Sequence, residues 1–140
     1  MNSFFVLHTT SNPSAEETYS GYVVFYKKSK DASVAEVQTG LLTKLIENGL
    51  KLKSENFLFI DMNEQKIRFS VLKKSFEIQK CFLFGVQERE IGINFDIPVY
   101  HLTRIAGIDF LKADAPEILE SDKNLKNKLW TQLQISFKPS

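Results

Sequence analysis

Between Tyr22 and Val86 three short apolar runs alternate with two stretches of helical periodicity, and this alternation constrains the fold more than any other feature. The first run, Tyr22-Val23-Val24-Phe25-Tyr26, is β-branched and aromatic without polar alternation, which suits a strand buried on both faces. Ala32 to Leu50 then carries Val34, Val37, Leu41, Leu45 and, beside them, Leu42 and Ile46 at the steps of an amphipathic helix. Ser33 with Glu36 three residues on reads as a capping box. Asn48-Gly49 supplies a left-handed residue to end the helix. A second run, Phe57-Leu58-Phe59-Ile60, is too short for a helix. Asn63 is expected to cap a second helix from Glu64 to Phe76 with the stripe Ile67, Val71, Leu72 and Phe76. Lys80 to Val86 is the third strand. Strands joined by single helices pair in parallel through right-handed crossovers. The expected fold is therefore α/β: a small three-layer sandwich with a mainly parallel central sheet of about four strands and helices on both faces.

A chain of 140 residues can bury a sizeable core in a single domain. We expect an N-terminal arm over residues 1–21 and one α/β domain over residues 22–140. In the arm, Phe4, Phe5, Val6, Leu7 and His8 could form a short strand, and Thr9 to Ser20 is rich in turn and linker residues. Two readings of the arm compete. It is an extra strand or strap across the core, or an anchor peptide that folds as it docks into a partner.

The net charge of +1 lacks the basic excess of a dedicated nucleic-acid binder. Cys81 is the single cysteine, which points to a cytoplasmic home, and its apolar strand makes it a buried, inert thiol. Phe4 to Leu7 is too short for a signal peptide, and no run approaches a membrane span.

Ligands of open α/β sheets gather at the carboxyl ends of the strands. After the first strand, Lys27-Lys28-Ser29-Lys30-Asp31 has no glycine run to cradle a phosphate. After the second, Asp61 and Glu64 could form an acid pair or magnesium site, but suit the first turn of a capped helix better. After the third, Gly85 to Glu90 reads as a solvated charged turn. His8 and His101 are too far apart, and too isolated, for a zinc site, and His101 reads as a strand-surface residue. No cofactor is called for.

Beyond the core, Ile91, Ile93, Phe95 and Ile97 alternate as in a half-exposed strand or extended segment that Pro98 interrupts. Tyr100 to Ile105 is a candidate fourth strand, and Pro116 opens a short helix through Leu119. Ser121 or Asp122 caps a last helix, Lys123 to Phe137, with the stripe Leu125, Leu129, Leu133 and Phe137. Trp130 lies beside that stripe, and Lys123, Lys126 and Lys128 form a basic flank that reads as a solvated face.

The stretch Leu111 to Trp130, LKADAPEILESDKNLKNKLW, resembles the closing segment of the psi subunit of bacterial DNA polymerase III. The corresponding features are Leu119, Asp122, Lys126, Leu129 and Trp130, and Lys80 to Gly85 resembles that family's last core strand and its glycine. The resemblance implies a fold similar to uracil-DNA glycosylases without their activity. The chain carries neither the Gly-Gln-Asp-Pro-Tyr run nor the His-Pro-Ser run of those enzymes. It further implies a non-enzymatic bridge that binds a chi-like subunit through its folded domain and the clamp loader through its arm. The psi arm usually carries a tryptophan, where this one offers Phe4 and Phe5. Expected partner contacts are Phe4, Phe5 and Leu7, with Trp130 if its ring is exposed. An alternative is an inactive glycosylase-like domain that grips nucleic acid directly through Lys27, Lys28, Lys30 and the C-terminal lysines. A third reading is an enzyme that uses Asp61 and Glu64.

Overall fold

The computed structural model describes residues 20–138. Its five strands are β1 (Tyr22–Tyr26), β2 (Phe57–Asp61), β3 (Lys80–Phe84), β4 (Thr103–Ile105) and β5 (Ile108–Ala113). They form one sheet in the order β2-β1-β3-β5-β4. The first four in that order are mutually parallel, and β4 runs antiparallel on the outer side of β5. The sheet thus has one strand more than the sequence reading, which left Ile108 to Ala113 unassigned.

Among the described residues four α-helices flank the sheet: α1 (Ala32–Thr43), α2 (Phe69–Ser75), α3 (Pro116–Glu120) and α4 (Lys123–Ser136). Burial divides them between the two faces of the sheet. Val24, Phe82, Phe84 and Leu111 pack against Leu41 and Leu42 of α1, Ile46 just beyond it, Leu119 of α3, and Leu129 and Leu133 of α4. Val23, Phe25, Cys81 and Leu83 pack the other way, against Phe69 and Leu72 of α2 and Ile91, Ile93 and Ile97. Strand residues alternate between faces with period two, and both faces are covered, which is why β1 and β3 read as unbroken apolar runs.

Several local expectations are corrected. Asp31 caps α1, its carboxylate accepting from the Ser33 and Val34 amides at 2.9 and 3.4 Å, in place of the Ser33–Glu36 box. Helix α1 continues as a wide π-turn over Lys44–Gly49. The left-handed residue beyond it is Lys51 (φ 61), and Gly49 has a different job, described below.

Helix α2 is shorter than its stripe suggested, because Asn63 is used elsewhere: its side-chain amide donates to Lys28 O at 2.8 Å. Residues Asp61 to Gln65 fold instead as a turn, with Glu64 and Gln65 amides both donating to Asp61 O at 3.0 Å. Val71, expected in the stripe, is exposed.

The alternation at Ile91, Ile93, Phe95 and Ile97 does direct all four into one core face, but without a ladder. The segment is a 3-10 turn over Glu88–Ile91 followed by irregular chain, and its sole contact of β type is the bridge Val99 to Lys112. His101 lies in an exposed bend just before β4. The α3 and α4 expectations agree with the structure, with Pro116 opening α3 and Asp122 capping α4 through the Leu125 amide at 3.2 Å.

Candidate functional site

With α1 on one face and α2 on the other, the winding reverses between β1 and β3, and open α/β sheets bind ligands in the crevice beyond that point. Here the crevice is lined by the chain after β1, Lys27 to Lys30, and after β3, Gly85 to Glu90. Gln38 of α1 stands at its centre and is almost fully buried. Its oxygen accepts from the Ser29 amide at 2.9 Å, and its nitrogen donates to Lys27 O at 2.9 Å and to Glu117 at 2.8 Å. One side chain thereby joins the first strand end to α3. Gly85 (φ 70) closes the other wall: a β-carbon there would lie 2.9 Å from that of Ala115. Only glycine takes this positive φ without strain while letting the two segments approach so closely.

Two carboxylates line the crevice floor and both are engaged. Glu90 pairs with Lys27 at 2.7 Å and accepts from the Gln87 amide at 2.8 Å. Glu88 is only 8% exposed, which corrects the reading of Gly85 to Glu90 as a solvated turn. It accepts from the Ile97 amide at 2.5 Å and from Lys112 at 2.8 Å. Burial alone would raise its pKa, but these hydrogen bonds and its own backbone N–H outweigh burial and hold it at about 2. Glu90 is shifted in the same direction for the same balance of causes. Both are therefore anions near neutrality, with fixed donors. Beyond the turn that carries Glu88 and Glu90, Arg68 lies against Gly92, where a β-carbon would meet its guanidinium at 3.0 Å.

The acids after β2 are also tied down. Asp61 accepts from the Lys28 and Asn63 amides, each at 3.0 Å, and so fixes the two loops to one another. Glu64 is exposed beyond them. Of the basic residues singled out in sequence, Lys27 is paired with Glu90, while Lys28 and Lys30 are exposed. Lys126 reaches Glu120 at 3.4 Å, and Lys123 and Lys128 are exposed. Among the described residues no group of three His, Cys, Asp or Glu side chains is placed to hold a metal ion.

At the opposite end of the sheet lies a polar cluster that the sequence did not reveal. Asp109, 2% exposed, accepts from Arg104 Nε at 2.6 Å, Ser136 Oγ at 2.8 Å and Lys80 Nζ at 3.1 Å. Lys80 also donates to Ser136 O at 2.7 Å. Burial would raise the Asp109 pKa, but these donors lower it to about 2. The cluster fastens the last turn of α4 to β3 and β5.

Phe4, Phe5, Leu7 and His8 lie outside the described residues. Trp130 is half-buried, its ring packed over Gly49 and the α1-side core. An apolar cavity of about 20 Å³ lies within the same core cluster, lined by residues that include Leu42, Ile46, Phe57, Phe82 and Leu133. It has room for roughly one water and no polar group to hold one.

The outer helical surface carries Val37 (39% exposed) on α1 and Ile118 (46% exposed) on α3. The two helices are joined by the Gln38–Glu117 hydrogen bond at 2.8 Å. Gly40, one turn beyond Val37, has open space where a side chain would stand. Sequence periodicity assigned Val37 to the core stripe, and the exposure of both residues follows from how α1 and α3 pack.

No family model matches the chain, and neither a curated protein nor a solved structure matches it significantly. No helix among the described residues is long and apolar enough to cross a membrane.

Proposed function

We propose that this chain is a non-enzymatic adaptor of the polymerase III psi type, joining a clamp loader to a chi-like partner in the cytoplasm. The observation that carries this reading is what the residues of the psi-like segment do. Leu119 and Leu129 are fully buried, Asp122 caps α4, and Trp130 seats against Gly49. These are one packed unit rather than four common helix-end residues. Val37 and Ile118 supply exposed apolar side chains of the kind such a role needs. At the strand carboxyl ends Gln38, Asp61, Glu88 and Glu90 are engaged in hydrogen bonds within the fold, a structural use that agrees with an adaptor.

The test is co-purification of the tagged full chain with purified clamp-loader and chi-like subunits at low and moderate salt. Capture of either subunit at moderate salt, reduced at least tenfold by V37D with I118D, supports the reading. Capture of nucleic acid alone, lost as salt rises, overturns it in favour of a fold that binds DNA directly.

A further inference from the structure

Helix α1 turns one face to the core through Ala35, Gln38, Leu41 and Leu42. At about 100° per residue, the direction opposite these four falls on Gly40. Around it stand the exposed Ser33, Glu36, Val37, Thr43 and Lys44. A glycine in a helix interior weakens the helix relative to alanine. No positive φ requires glycine at position 40, and a β-carbon there would meet nothing within 4 Å. Gly49 and Gly85 are held by a neighbour that fills the space; within the single chain Gly40 has no such task. What a bare backbone does permit is the close approach of another backbone. The charges beside it are likewise unused. Among the described residues neither Glu36 nor Lys44 pairs with an opposite charge.

We propose that this face of α1 is a contact between two copies of the chain, crossing antiparallel at Gly40 about a two-fold axis. Charge complementarity identifies the second copy as the occupant. A two-fold centred on Gly40 sets each residue opposite the one equally far beyond the centre in the other copy. Glu36 then opposes Lys44, and Val37 opposes Thr43, each pair occurring twice. Packed helices lie about 8–10 Å apart, a gap that Glu and Lys side chains span, and glycine at the crossing allows the short end of that range. A parallel pair would set Glu36 on Glu36 and Lys44 on Lys44, so the same charges disfavour it. From Ser33 to Lys44 the face is only roughly 17 Å long, so the contact is small and the dimer weak, with a dissociation constant on the order of 100 µM. The inference does not rest on the adaptor reading. Both draw on Val37, so a second copy and a partner compete for it.

Sedimentation equilibrium on the full chain from about 10 µM to about 1 mM tests it. The unmodified protein should pass from monomer to dimer within this range. Glu36→Lys and Lys44→Glu should each weaken the dimer at least roughly tenfold, because either one places two like-charge pairs in the contact. Glu36→Lys combined with Lys44→Glu rebuilds both pairs and should return to within about threefold of the original. Gly40→Gln has open space on its own chain, so it should raise the melting temperature of the monomer while weakening the dimer at least roughly tenfold. A protein still monomeric at about 1 mM, a dimer indifferent to the single exchanges or to Gly40→Gln, or a double exchange that fails to restore it would each overturn the proposal. All are measured on the isolated protein, so their failure is separate from a failure to capture a clamp-loader or chi-like subunit.

Discussion

Trp130 closes over Gly49 so tightly that a β-carbon at Gly49 would lie 2.8 Å from Trp130 Cζ3. Gly49 has no positive φ, so its glycine is required by this approach and not by the backbone. Gly49→Ala should therefore destabilise by about 1–3 kcal/mol, since overpacking outweighs the roughly 0.5–1 kcal/mol that alanine gains in a helical turn. In a Trp130→Ala background, itself costing about 3 kcal/mol, the same change should become neutral or stabilising. Denaturant midpoints of the four proteins in this cycle would show it. Equal effects in both backgrounds would mean that the two residues do not share this space.

The β4–β5 hairpin turns through Ala106 (φ 54) and Gly107 (φ 80), between Ile105 and Ile108, which pair. Two successive positive φ values define the primed turn that favours Asn-Gly over Ala-Gly. Ala106→Asn should stabilise by about 0.5–1 kcal/mol, read as a rise in melting temperature. A fall would show that the Ala106 methyl makes a contact worth more than the relieved strain.

Acid stability should depend on Glu88 and Asp109. Each titrates at about 2 when folded, below the roughly 4 of an unfolded carboxylate. The unfolded chain then binds more protons between about pH 4 and 2, so these groups stabilise fully above that window and the contribution is lost as pH falls through it. Urea unfolding against pH should steepen there. Glu88→Gln should flatten the slope by about one proton while lowering stability at neutral pH.

Removing Lys80 isolates part of the Asp109 cluster. Lys80→Met leaves Asp109 with Arg104 and Ser136, and frees Ser136 O. A loss of about 3 kcal/mol is expected, the cost of breaking a buried pair on one side. Exchange should accelerate first in the last turn of α4, because that is what the cluster fastens. Uniform acceleration across the sheet would instead make Lys80 a general core residue.

Cys81 is fully buried, and burial pushes its thiol pKa upward. Reaction with a thiol reagent at neutral pH should proceed only as fast as the fold opens, and be abolished as a distinct phase in denaturant. Prompt labelling of the native protein would contradict the packing of β3.

The strands β1, β2 and β3, the helix α1 and the α3–α4 pair were legible because each carries its own signal: an apolar run, a helical stripe, a proline at a first turn or a capping aspartate. Asn63, Glu88 and Gly49 were misread because each residue type has two uses. Asn63 can cap a helix or bind a distant carbonyl, and the position of Lys28 O decides between them. Glu88 looks solvated until Ile97 and Lys112 arrive as donors from elsewhere in the chain. Of the candidate surface, Val37 was visible in sequence only as core, and Ile118 not at all.

The strand β5 marks the division most clearly. Ile108-Asp109-Phe110-Leu111-Lys112-Ala113 places two charges in a strand that is buried almost throughout. No local rule assigns such a segment to the middle of a sheet, since an unpaired charge there would cost more than its apolar neighbours return. It is made possible by Lys80, Arg104 and Ser136 meeting Asp109, and by Glu88 meeting Lys112. The sequence alone determined the α/β class, the parallel core and most element positions, because periodicity and caps act within a few residues. Tertiary structure decided the fifth strand, the burial of its charges and the strand order β2-β1-β3-β5-β4, because those depend on partners brought from far along the chain.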